Sequence, residues 1–309
     1  MPCSYANTRY SGGLTVPRSM LLWFNTPMPS LILIRGGGDL ATGVAIRLLR
    51  CGLRAVITEL PQPLAVRRTV AFAEALYAGE ATVEGITAHA VTDPGDSLKI
   101  LTVLGRQQVP VLADPDCSAA RALHPAVIVD GRMTKRPPEP IGYAPQLYIG
   151  LGPGFAAGEN CQAVVETRRG HTLGRVFWQG GPDPDTGRPD GDPSRVLRAP
   201  ADGVLIAHKE IGDHCEPGEL IAEIDDGRQA ADHSRPPILS PFAGVLRGLL
   251  HPGLAVTQGM KIGDVDGRDD PRLCQLVSEK SLAIGGGVLE AILSKPEVRT
   301  ALWDAEGRG

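Results

Sequence analysis

The chain has 309 residues, 42 % of them apolar and 21 % charged, enough to bury a substantial core in one large or two to three small units. Its net charge of -4 excludes the global basic field on which non-specific nucleic-acid binding depends. No apolar run approaches the roughly 20 residues of a membrane helix, and six scattered cysteines show neither a CxxC pair nor metal-ligand spacing, so a soluble cytoplasmic protein with reduced thiols is expected.

Residues 1–28 contain one apolar burst, "MLLWF", shorter than the core of a secretory signal and followed by no small-residue cleavage site. A disordered extension is expected there, with Met20 and Met28 as alternative starts. Over 29–155 the pattern predicts strands at 31–35, 54–58, around 82–91, 109–113 and 125–130, and helices at 40–50, 64–76 and 97–107. Near-continuous Val/Ile/Leu runs, each followed by a helix, indicate a Rossmann-like parallel sheet covered on both faces.

The first strand runs into "RGGGDLATG", which satisfies the G-x-G-x-x-A fingerprint. Gly36 makes the tight turn, Gly38 lets a ligand approach the backbone, and Ala41 packs the helix on the strand, with Gly37 and Asp39 beside them. The helix N-terminus favours an anion. Glu59 ends the second strand, 23 residues after Gly36, where an acid would hydrogen-bond ribose hydroxyls. The carboxylate of Asp39 opposes a phosphate unless it caps the helix, and Arg35, Arg67 and Arg68 would compensate. The alternative is a tight turn with a solvated Glu59. Asp114 follows one later strand, and Asp130, Arg132 and Lys135 follow another, either gripping a phosphorylated or carboxylated ligand or forming a salt-bridged turn.

The connecting segment 156–196 places Glu166 and His171 after an apolar strand, in the pattern of an acid/base pair or of an exposed polar turn. Cys161 reads as a sulfur- or selenium-handling thiol or as a small buried hydrophobe. The stretch "GPDPDTGRPDGDPS" is too rich in Pro, Gly and Asp to pack.

Residues 199–225 align without gaps to 240–266 at an offset of 41, with matches at turn glycines and strand apolars such as Gly203/Gly244 and Ile221/Ile262. The module 197–268 resembles the barrel-sandwich hybrid of biotinyl and lipoyl domains. Its joining segment, "DGRQAADHSRPPIL", has no lysine, so neither biotin nor lipoate is expected, and the module reads as a scaffold or docking surface. The final segment, 269–309, carries Gly285, Gly286 and Gly287 ahead of a short helix, as a second candidate cofactor-binding turn.

The stretches "IRGGGDLATGVAIRL", "VITELPQPLAVRRTVAFAEA", "VPVLADP", "VIVDGRMTK", "GLGPGFAAGENCQAVVETRRGH" and "SEKSLAIGGGVLEAIL" are similar to the YqeB family, over roughly Leu31 to Leu293. The resemblance implies an accessory role in a selenium-dependent molybdenum hydroxylase system, with a hydroxylase of xanthine dehydrogenase type as partner. The glycine turn is also similar to the Rossmann domain of XdhC-like proteins, which implies a molybdopterin-type cofactor or its nucleotide at that turn. No catalytic residue is carried over. An NAD(P)-dependent oxidoreductase and a sulfur or selenium transfer enzyme using Cys161 remain as alternatives. A homo-oligomer is compatible with the sequence; a metal site, nucleic acid and membrane are not expected.

Overall fold

The apolar runs of the first half become one large sheet. The protein is described from a computed structural model over residues 30–185, 187, 192–227 and 235–303; the expected extension 1–28 lies outside the described residues. Strands β1 (Ile32–Arg35), β2 (Ala55–Glu59), β3 (Glu80–Val83), β4 (Ile86–Val91), β5 (Val109–Ala113), β6 (Val127–Asp130), β7 (Leu147–Leu151), β8 (Ala163–Val165) and β9 (Val176–Phe177) pair in the order β3-β4-β5-β2-β1-β6-β7-β8-β9. All pairings are parallel except those of β3 and β9, which join antiparallel at the two edges. From β1 the chain first builds outward through β2, then crosses back to β6 on the other side of β1. In open α/β sheets that crossing point opens a crevice beyond the strand ends.

Helix α1 (Asp39–Arg50) buries Ala41, Val44, Ala45 and Leu48 against the sheet. Helix α2 (Ser97–Gly105) starts at Asp96, whose side chain accepts from the Lys99 amide. Helix α3 (Glu279–Leu293) starts at Ser278, which accepts from the Ser281 amide, and α4 (Pro296–Trp303) follows it. The continuous helix expected over 64–76 breaks into two 3₁₀ turns, Arg68–Val70 and Phe72–Glu74, and the start of a short α-helical turn, Ala75–Ala78. At the break Ala73 N donates to Gly37 O at 2.9 Å and Phe72 N to Thr42 Oγ1 at 2.9 Å, so these two amides bond across to the glycine turn and α1.

Helices α1 and α3 run parallel in direct contact. A Cβ on Gly43 would stand 2.5 Å from Ser281 Cβ, and one on Gly285 would stand 2.8 Å from Arg47 Cγ, one turn further along both helices. Gly285, Gly286 and Gly287 are therefore helix interior, and the expected second glycine turn is corrected. The missing side chains serve close packing at Gly285, against α1, and at Gly287, against the Gly174 carbonyl, while Gly286 faces open space; each glycine costs about 1 kcal/mol in helix propensity. The sheet does not stop at 155 either: β8 and β9 come from the connecting segment, and α3 returns from the far end of the chain to cover it.

The repeat forms strands β10 (Val196–Arg198), β11 (Gly203–Ala207), β12 (His214–Cys215), β13 (Leu220–Asp225), β14 (Pro237–Leu239), β15 (Gly244–Leu249), β16 (Ala255–Val256) and β17 (Lys261–Asp266). They make two antiparallel sheets, β10-β17-β15-β12 and β14-β13-β11-β16. Each strand of the first half has its counterpart 41 residues later, and the halves exchange their shortest strands, β12 and β16. Leu205, Ile221, Ile224, Leu246, Ile262 and Val265 fill the space between the sheets. The first region is tied to them: Arg68 Nε donates to Leu249 O at 2.8 Å, the Tyr77 and His251 rings stack at 4.0 Å, and Gly248 leaves room for Val66.

The expected class, a Rossmann-like domain ending near 155 plus a biotinyl/lipoyl-like barrel-sandwich hybrid, is corrected to a mixed α/β architecture around a large central sheet. A pattern of turn glycines and alternating apolars locates strand ends. It does not report which distant segments join a sheet.

Gly43→Ala is expected to lower unfolding free energy by about 1–3 kcal/mol through overpacking, whereas Gly286→Ala, whose added Cβ meets nothing within 4 Å, should raise it by about 0.5–1 kcal/mol. Urea denaturation midpoints decide this, and equal effects at the two positions would refute the close contact.

Candidate functional site

The carboxyl ends of β1, β2, β6 and β8 open into a cleft of about 800 Å³, whose opposite wall is formed by β10, β15 and β17 of the repeat module. Eleven Arg and Lys side chains line it against five carboxylates. A protein of net charge -4 thus concentrates its cations at one place.

At the floor, Gly36 takes φ +89°, and its tight turn presents Gly37 N to Glu59. Glu59 Oε2 accepts from Gly37 N at 2.6 Å and Oε1 from Leu60 N at 2.7 Å. Burial raises the Glu59 carboxyl above its usual range, against the pull of these two amides and of Arg132. One oxygen is bonded to the glycine turn and the other to the amide of the next residue, so the acid read as a ribose ligand is instead a brace between the glycine loop and the end of β2. Asp39 does not cap α1; it stands 3.5 Å from the Arg67 guanidinium, and Gly38 leaves the helix without a side-chain cap. Ala41 packs beneath Gly131, where an added Cβ would lie 3.2 Å from it.

At the end of β6, buried Asp130 accepts from Arg35 at 3.0 Å, from Tyr148 Oη at 2.9 Å and from Arg132 through both oxygens at 3.0 and 2.8 Å. Arg132 also meets Glu139 at 2.9 Å, and Lys135 meets Asp185 at 2.9 Å. The predicted trio Asp130, Arg132 and Lys135 is thus assembled at the cleft, with the aspartate as its anchor and the two cations lining the space.

The opposite wall carries residues that the sequence reading missed. Asp264, 1 % exposed, accepts from Arg195 and, at 2.5 Å, from Arg247, with Lys261 at 3.6 Å. Burial lowers the pKa of Lys261 and that of Arg67 across from it. The available signal was the repeat offset, because Arg247, Lys261 and Asp264 fall on Ile206, Leu220 and Glu223 of the first half.

Glu166 is fully buried and accepts from Thr167 N, Arg168 N and Asp183 N, each at 2.7 Å. It shapes the loop that brings Arg168 and Arg169 to the cleft, and it has no histidine partner. His171 is exposed, outside the cleft lining, and its carbonyl accepts from Arg175 Nε at 3.1 Å. Cys161 lies in a separate cavity beside Trp178, where burial pushes its thiol up to about 11. The acid/base pair and the reactive thiol are therefore not assembled. Gly285, Gly286 and Gly287 do not line the cleft. Among the described residues, no three His, Cys, Asp or Glu side chains come together to hold a metal ion, and no helix is long and apolar enough to cross a membrane.

No family model matches the chain. It is 42 % identical over 267 residues to YqeB of Escherichia coli K12, a protein described as uncharacterized, and the match takes in 85 % of this chain and 47 % of that protein. The chain therefore spans about half the length of the curated relative it matches. Similar solved structures include a succinylglutamate desuccinylase/aspartoacylase of Rhodobacter sphaeroides (21 % identity, 29 % of this chain and 30 % of that one, TM-score 0.22). Another is an aspartoacylase family protein of Mesorhizobium loti (9 % identity, 77 % of this chain and 84 % of that one, TM-score 0.26). Likeness at this level carries nothing about activity. The two are named for desuccinylase and aspartoacylase, not for the descriptors expected from the sequence: molybdenum hydroxylase maturation, molybdenum cofactor and selenium, Rossmann-type NAD(P) binding and the barrel-sandwich hybrid. The acid expected to hold an NAD(P) ribose already accepts from two backbone amides.

Two outcomes follow from these environments. Lowering the pH through the raised Glu59 value removes a negative charge from the cleft floor, so sulfate, an anion of constant charge in this range, should bind more tightly as pH falls. Glu59→Gln should flatten that profile, and a wild-type profile without slope would refute the assignment. Native-state alkylation followed by peptide mapping should label exposed Cys51 rapidly and leave Cys161 unmodified; fast labelling of Cys161 would reopen its candidacy.

Proposed function

Taking the chain as the counterpart of about half of a YqeB-like protein, we propose that it binds a small polyanionic molecule in the cleft between the central sheet and the repeat module. The observation that carries this reading is the excess of eleven cations over five carboxylates in a space of about 800 Å³, set in an acidic chain. That volume suits a ligand of nucleotide size. Low-dielectric walls of one sign concentrate counter-charge and draw anions in.

The carboxylates present support the reading because they are already committed. Asp130 is shared by Arg35 and Arg132, and Asp264 by Arg195, Arg247 and Lys261. Glu139 balances the first group through Arg132, whereas the second, with Asp266 on Arg247, keeps a surplus of positive charge that an incoming anion would neutralise. A phosphate group is what these side chains suit, and they favour it without distinguishing its bearer. The reading assigns binding and leaves Glu166, His171 and Cys161 without a reacting role.

Thermal unfolding in pyrophosphate or citrate tests it. A ligand at 100 times its dissociation constant stabilises by about 2.7 kcal/mol, so a clear upward shift in Tm is expected with either anion, an equal concentration of glucose giving none. Lys135→Glu, at a half-exposed position, should weaken the shift, and no shift with either polyanion would overturn the proposal.

A further inference from the structure

We infer that the second half of the 41-residue repeat builds one side of a phosphate-binding subsite, so that a phosphate group of the cleft's ligand sits between the N-terminus of α1 and the side chains of Arg247 and Lys261. The inference rests on the polyanion reading above and names the group and the seat.

Three observations converge on that place. Among the described residues, five buried side-chain nitrogen or oxygen atoms have no hydrogen-bond partner, and three of them are the Nε atoms of Arg35, Arg67 and Arg247. All three residues line this cleft. Buried donors are almost always satisfied, and Arg67 and Arg247, which lie within electrostatic reach of each other, each carry a donor for which the fold supplies no acceptor. Arg35 is the most enclosed, at 3 % exposure, directly before the glycine turn.

The second observation is local charge. Arg67, Arg247, Lys261, Asp39 and Asp264 lie within electrostatic reach of one another. Asp39 and Asp264, with Asp266 on Arg247 at 2.9 Å, face these three cations and Arg195, leaving four cations against three carboxylates beside the N-terminus of α1, which no side chain caps. A helix N-terminus directs its amides and the positive end of its dipole at whatever stands there. A phosphate group meets both that positive charge and those amides, because its oxygens can accept from several donors at once.

The third is the repeat itself. Its halves are equivalent strand for strand, yet Arg247 and Lys261 of the second half stand where the first has Ile206 and Leu220, and Arg198 of the first half stands where the second has Leu239; all three cations lie on the sheet that lines the cleft. Folding of the module does not need cations at these sites, since the sister half forms the same strands without them. Their presence on the wall that faces the sheet is a property of the cleft.

Calorimetric titration of the full chain with inorganic pyrophosphate tests the subsite. Lys261→Gln leaves Asp264 paired with Arg195 and Arg247, so it should fold as wild type while weakening pyrophosphate about 10-fold, with Lys261→Arg restoring most of the affinity. Lys209→Gln, on the first half and outside the cleft lining, should leave binding unchanged. Wild-type protein that takes up no pyrophosphate would overturn the polyanion reading together with this one. Binding that Lys135→Glu weakens and a folded Lys261→Gln does not would overturn the subsite alone.

Discussion

The arrangement depends on the contact between α1 and α3. Residues 43 and 285 lack side chains where the two helices meet, and this lets a segment from the end of the chain lie directly on the first helix of the sheet. Because the helices are parallel, both N-termini reach the same end of the molecule, and Gly38 and Ser278 both line the cleft. Gly287 repeats the principle against the Gly174 carbonyl, so the loop after β8 is drawn in as well. Three regions distant in sequence are thereby held at the strand ends.

Around that frame the buried carboxylates act mainly as fasteners. Glu59 ties the glycine loop to the end of β2, Glu166 gathers three amides of the loops around β8, and Asp114 holds the amides of Ser118 and Ala119. Asp130 and Asp264 hold guanidinium groups in place on opposite walls. Charge-assisted bonds of this kind are strong because both members are removed from water. Asp264 fixes more cations than it neutralises, and the cleft inherits the difference.

Much of the strand pattern was legible in the sequence. The runs at 31–35, 54–58, 109–113 and 125–130 form β1, β2, β5 and β6 within a residue or two, because strands buried on both faces are nearly continuous in Val, Ile and Leu. The repeat was legible for a related reason: strand ends recur at fixed glycines. The segment 64–76 forms short 3₁₀ turns in place of one helix, because its apolar spacing suits a helix while the amides of Phe72 and Ala73 are claimed by Thr42 and Gly37. Gly285 to Gly287 were misread because a glycine triplet serves a turn and a close helix contact equally well. Glu59 stood at the expected strand end, but the partner of its carboxylate is set by where Gly37 N points.

By itself the sequence determined the α/β alternation, the glycine turn after the first strand, the two-fold repeat and the trio at the end of β6, since each follows from residue spacing along one segment. Only the tertiary structure decided that β10, β15 and β17 of the repeat face that turn, that Asp264 gathers Arg195, Arg247 and Lys261, and that Glu166, His171 and Cys161 serve three unrelated places. Charge in a cleft is a sum over segments far apart in the chain, and local spacing carries no record of which segments meet.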